Sequence, residues 1–171
     1  LHRFATWLGR AARGDLGISY TSGEPVAGEI FSRLPATLEL AAGGLVVMFL
    51  LALPLGTLAA LFPRTIIDHL SRFTALLGAS LPSFYVGLLL ICYVAVPSDY
   101  LQVMGRGGLP HLLLPSLTLG FGLAAVYARL LRASLLEVLQ LEFIRAARAR
   151  GLREAAVIGR HALRNALIPL V

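Results

Sequence analysis

The side chains best equipped for chemistry are arginines, and they crowd one stretch: Arg145, Arg148, Arg150, Arg153, Arg160 and Arg164 fall within twenty residues. A guanidinium keeps its charge at any physiological pH and presents a fork of donors to carboxylates and phosphates, so the chemistry on offer is recognition of an anionic or polar partner. Small residues, Ala146, Ala147 and Gly151, are interleaved with the arginines and let another backbone come close. Catalysis finds no comparable set. His2, His69, His111 and His161 are scattered and Cys92 is the only cysteine, which leaves no disulfide and no metal-ligand spacing. H-E-x-x-H, G-x-S-x-G and paired catalytic carboxylates do not occur, which argues against an intramembrane enzyme. All fifteen basic residues are arginine, so a phosphate-binding G-x-x-x-x-G-K-[ST] loop is impossible for want of lysine. The expected protein is non-enzymatic and needs no cofactor; any ATP-driven step must take place on a partner.

The elements that must hold this segment follow from composition. Of 171 residues, 57% are hydrophobic and only 14% charged, against about 25% charged in a soluble domain. A core this small cannot hide that much apolar surface, and lipid is the natural place for it. The net charge of +6 admits a nucleic-acid partner in principle. Glu137, Glu142 and Glu154 interrupt the basic run and no DNA-binding pattern is present. A membrane-anchored nucleic-acid-binding protein is therefore only a secondary reading, and nucleic acid is not an expected partner.

Three stretches lack any Asp, Glu, Lys or Arg and are long enough to cross a bilayer: Leu40–Phe62, Phe73–Ser98 and Gly107–Ala128. They define expected transmembrane helices at 39–62, 73–98 and 107–131. The connection Pro63–Arg72 carries Arg64 and Arg72, and the segment after the third span carries eight arginines. Three crossings put both on one side, which the positive-inside rule makes the cytoplasm. Residues 1–38 then form a periplasmic segment, 132–163 a cytoplasmic loop, and 164–171 the start of a further span. With Leu1 at one end and the apolar run Ala166–Val171 at the other, the chain reads as truncated at both ends, with a helix expected before Leu1. Pro82 lies within the second span, where its missing N–H permits a kink or hinge. Ser80 and Ser83 beside it are candidates to face a pathway, although serines in spans also bond to their own helix. Glu39 sits at the outer end of the first span, as an interfacial residue.

After the third span the pattern becomes that of a helix over Leu141–Arg150, a stop at Gly151, and a second helical run over Arg153–Leu163. Physics alone leaves two uses for this element, docking to a protein or lying on anionic lipid heads.

The stretch EFIRAARARGLREAAVIGRHALRNALIPLV, residues 142–171, resembles the EAA loop of ABC importer permeases, and more narrowly the dipeptide, oligopeptide and nickel branch. The resemblance extends in order through GDLGISY (14–20), RLPATLEL (33–40), SLPSFYVG (80–87), HLLLPSLTLG (111–120) and ARLLRASLLEV (128–138), covering nearly the whole chain. It implies an all-α, multi-span permease in the bacterial inner membrane, with a helix–Gly–helix coupling loop. The implied partners are cytoplasmic ATP-binding subunits, a second homologous permease and a periplasmic substrate-binding protein. The implied coupling residues are Arg145, Ala146, Ala147, Arg148, Gly151, Leu152, Arg160, His161 and Asn165, with Ala146, Ala147 and Gly151 at the motif's small positions. Arg145 stands where the generic motif has glutamate, and the interval from Gly151 to Pro169 is longer than the general pattern. Peptide is the expected cargo, nickel or a nickel chelate the alternative. MGRGG (104–108) and ARLLRAS lean towards the nickel-type members.

Overall fold

A computed structural model describes residues 2–170. They are helical throughout apart from connections and one isolated bridge between Ile18 and Pro25, which agrees with the expected all-α class. The chain divides into two compact units, residues 1–41 and 42–171.

The first unit holds helix α1 (His2–Ala11), a turn-rich connection and the opening turns of helix α2 (Val26–Leu61). Gly14 and Gly17 take φ of 86° and 83°, and Asp15 closes an Asx turn by accepting the Gly17 N–H at 3.0 Å. Residues 26–38, expected as part of an extramembrane segment, are already helical. The expected first span at 39–62 is therefore only the C-terminal part of a 36-residue helix. Charged and polar residues (Glu29, Ser32, Arg33) mask the helical pattern when a span is sought by apolarity alone.

In the second unit, α2 packs on α5 (Leu109–Val138) through two stripes of mostly small residues at helical spacing. Gly44, Met48, Ala52, Gly56 and Ala60 are buried on α2, and Ser116, Gly120, Ala124 and Ala128 on α5. The backbones approach so closely that a Cβ on Gly120 would lie 2.8 Å from the Gly44 carbonyl oxygen. A Cβ on Gly56 would lie 2.8 Å from that of Ala128. Without a hydrophobic driving force in lipid, such close packing is what holds helices together. Because Gly43 meets Ser116 and Gly56 meets Ala128 and Leu131, α2 and α5 run parallel.

Two parallel helices require the chain to return between them, and α3 (Ile66–Ser80) with α4 (Ser83–Leu90) makes that return. Contacts of Asp68 with Arg132, Gly78 with Ala125 and Gly87 with Thr118 show it running antiparallel along α5. The second span, expected as one helix over 73–98, is instead two helices bent by 100° at Leu81–Pro82. Proline offers no N–H to continue α3, and it pushes Leu81 into an extended conformation (φ −81°, ψ 126°). Pro82 then starts α4, its carbonyl accepting the Tyr85 and Val86 N–H groups at 3.0 and 3.2 Å. A five-residue π turn, Ile91–Ala95, continues it. The expected kink at Pro82 is thus a complete break. Among the described residues, α2 and α5 qualify by length and apolarity as membrane spans, and the bent α3–α4 pair adds a third if it counts as one span.

Candidate functional site

The segment after α5 folds back on the helix it leaves. Helix α6 (Glu142–Ala149) begins with an acidic residue and carries Arg148 in its last turn, both favourable to its dipole. It ends at Gly151, whose φ of 76° is costly for other residues, with the Gly151 N–H donating to Arg148 O at 2.9 Å. The return leg is continuous: α7 (Glu154–Ala156), a π turn (Val157–Ala162) and α8 (Leu163–Ala166). The expected helix–Gly–helix geometry is present, with the second leg locally widened to π.

One face of this hairpin is a core. Ile144, Ala147, Val157, Ala162 and Ala166 are buried together against Leu131, Leu135 and Val138 of α5 and Ala60 of α2. Ala147, expected to offer a small face to a partner, is 1% exposed and belongs to this core. Its small side chain lets the two legs close, and that corrects the expectation of an accessible residue. Across the turn, Arg148 Nε and Nη2 donate to the two Glu154 carboxylate oxygens at 3.1 and 2.6 Å. Arg148 is therefore a brace of the hairpin.

The opposite face stays open. Arg145, Ala146, Gly151, Leu152 and Arg160 are exposed, while His161 is half-buried. Leu152 keeps 41% of its surface accessible at the tip. Asn165, also exposed, donates its amide to the His161 carbonyl at 2.7 Å. Ser80, Pro82 and Ser83 lie far along α3–α4, at the break between the two helices, and are exposed.

The Arg148 guanidinium lowers the Glu154 carboxyl below its ordinary range. A depressed carboxylate contributes stability above its unfolded-state pKa, and loses it as pH falls through the lower folded value. Both partners are half exposed, so the contribution is small. We expect Glu154→Gln to leave the membrane helices intact but to speed amide hydrogen exchange around Gly151 at neutral pH. The difference from wild type should shrink on acidification below the carboxylate range.

Sequence reasoning missed a second charged group, close to the root of the hairpin. Asp68 is fully buried in the first turn of α3. Its carboxylate accepts from Arg72 (3.1 and 2.6 Å), from Arg132 (2.7 and 3.0 Å) and from the Arg64 backbone N–H (3.0 Å). Arg64 adopts φ 64°, which aims that N–H. Arg132 is six residues before the end of α5, so the ion group ties the α2–α3 turn to the helix that carries the hairpin. It also brings Arg64 and Arg72 to the same end of the helices as the arginine-rich segment. The local signal was Thr65-Ile66-Ile67-Asp68, a helix-start pattern, but its long-range partner has no sequence signature.

A family described as "Binding-protein-dependent transport system inner membrane component" matches residues 52–171. Among curated relatives, the glutathione transport system permease protein GsiC of Escherichia coli O6:H1 is 42% identical over 170 residues, which is 99% of this chain and 56% of that protein. The proteins of the same name from Escherichia coli K12 and from Shigella dysenteriae serotype 1 are each 41% identical over the same coverage. The chain thus spans little more than half the length of these relatives. The resemblance carried by the ordered motifs is borne out: the chain belongs to the binding-protein-dependent transport system inner membrane components, the permeases of ABC importers.

Proposed function

We propose that the chain contributes the transmembrane pathway of an ATP-driven importer in a bacterial inner membrane, and that its hairpin over residues 142–166 is the docking element for a separate ATP-hydrolysing subunit. The observation that carries this reading is the two-faced hairpin. One face is cemented to α5 and α2. The other presents Arg145, Ala146, Leu152 and Arg160 to whatever lies beyond. A surface fixed rigidly to the spans on one side and open on the other can pass displacement from a partner into the helices. A helix lying on lipid would need a continuous apolar exposed face, whereas here the exposed apolar side chains Phe143 and Leu152 are interleaved with Arg145, Arg150, Arg153 and Arg160.

In this reading the parallel run of α2 and α5 supports a full crossing by the broken α3–α4 pair, giving three spans with Arg64, Arg72 and the hairpin on the cytoplasmic side. The partners are ATP-binding subunits, a second permease and a substrate-binding protein on the far side. Ser80, Pro82 and Ser83 mark the break where non-helical backbone is tolerated beside a pathway.

For the cargo we favour a small peptide-like molecule, because the similar proteins carry glutathione in their names. Nickel has no support among the same relatives. The test is uptake by proteoliposomes containing the complete transporter and its binding protein. Labelled glutathione or a dipeptide should accumulate in an ATP-dependent way, and nickel ions should not compete. ATP-dependent nickel uptake without peptide uptake would overturn the cargo assignment.

A further inference from the structure

Beside the Asp68 ion group lies a cleft of about 370 Å³ whose lining includes Arg72, Arg129 and Arg132 together with Ala75 and Leu76. Three arginines line it and no carboxylate does; Arg72 and Arg132 share the single charge of Asp68 behind it, so the lining is net positive. Arg129 is exposed, and Arg72 keeps 51% of its side chain accessible. The cleft shares Ser71, Ala75 and Ala128 with a second, almost wholly apolar cavity of about 140 Å³ that reaches Leu51, Leu55 and Phe121. A cationic mouth therefore opens next to an apolar recess between α2, α3 and α5.

Depth points the same way. Arg72 is the last charged residue before the apolar stretch beginning at Phe73, and Arg129 is the first after the stretch ending at Ala128. Both sit where hydrocarbon gives way to headgroups, at the end that the arginine asymmetry assigns to the cytoplasm. A group that satisfies guanidiniums at this level while filling an apolar recess is an anion with a hydrocarbon tail.

We propose that Arg72, Arg129 and Arg132 form a binding site for the phosphate of an anionic phospholipid of the inner leaflet, with one acyl chain entering the recess beneath Ala75 and Ala128. The proposal rests on the membrane-spanning reading but not on the cargo or on ATPase docking. Lipid occupancy there would brace α3 against α5 next to the ion group that anchors the hairpin.

The test uses the complete permease extracted from membranes into neutral detergent, with native mass spectrometry as the readout and phosphatidylglycerol and phosphatidylcholine as probes. Phosphatidylglycerol should remain bound in preference to phosphatidylcholine. Arg129→Gln should weaken its retention about five-fold, one arginine's worth of headgroup attraction, and Arg129→Lys should largely restore it. Equal retention of both lipids, or no effect of Arg129→Gln in a variant that elutes as a folded permease, overturns the site. Displacement of the lipid by millimolar inorganic phosphate also overturns it, because it would show a site for the free anion. Uptake is measured separately, so a failed lipid site leaves the importer reading standing.

Discussion

Replacing Asp68 with alanine should destabilise the helical unit by about 3 kcal/mol, the scale of breaking a buried ion pair by deleting one partner. The carboxylate is fully buried and accepts five hydrogen bonds, two from each of two arginines and one from the Arg64 N–H. Removing it leaves Arg132, only 22% exposed, without its counter-charge, next to Arg72 and Arg129. Arg72 is half exposed and regains water, which keeps the loss from being larger. The check is thermal unfolding of the solubilised permease, where Asp68→Ala should melt well below wild type. The double change Asp68→Leu with Arg132→Leu should melt above the single one, since no orphaned charge at Arg132 remains. A single variant as stable as wild type would show that the group is not a tie between α3 and α5.

An equally large effect is expected inside the hairpin. Ala147→Glu would push a carboxylate into the cluster of Ile144, Val157 and Ala162, and among the described residues no buried residue is basic. Burial of an unpaired charge costs several kcal/mol, enough to release the hairpin from α5. Ala146→Glu, one residue away on the open face, should change stability by no more than about 0.5 kcal/mol. Limited proteolysis and hydrogen exchange over residues 142–166 distinguish the two. Ala147→Glu should expose the whole segment and Ala146→Glu should leave it protected. Matching protection in both variants would contradict the packing described.

The contrast between these neighbours marks how far the sequence could be read. Charge-free runs located α2 and α5, since twenty apolar residues are a strong local signal. Gly151 was legible as a helix stop for the same reason: one residue and its φ decide it. Ala147 was not legible, because Ala146 and Ala147 are the same residue type. Which of them turns inward depends on contacts with Leu131 and Leu135, in an element before the hairpin. Asp68 was lost to distance, since its partner Arg132 is 64 residues away. The break at Pro82 was foreseen as a bend, yet a proline alone does not say whether a helix kinks or stops. The stripe of Gly44, Ala52, Gly56 and Ala60, continued through Met48, was the avoidable omission. Its four-residue spacing lay in plain sight, but span-finding weighs apolarity and overlooks smallness.

The open face of the hairpin is proposed to take up the work of an ATPase. The most direct measurement is uptake alongside ATP hydrolysis by the complete transporter carrying Leu152→Glu, at the exposed tip and outside the hairpin's core. Loss of one central docking contact should reduce ATP-dependent uptake about ten-fold. The permease should remain at wild-type level in the membrane with its hairpin still protected from exchange. Wild-type uptake, with hydrolysis still coupled to it, would contradict the assignment of this face as the docking surface.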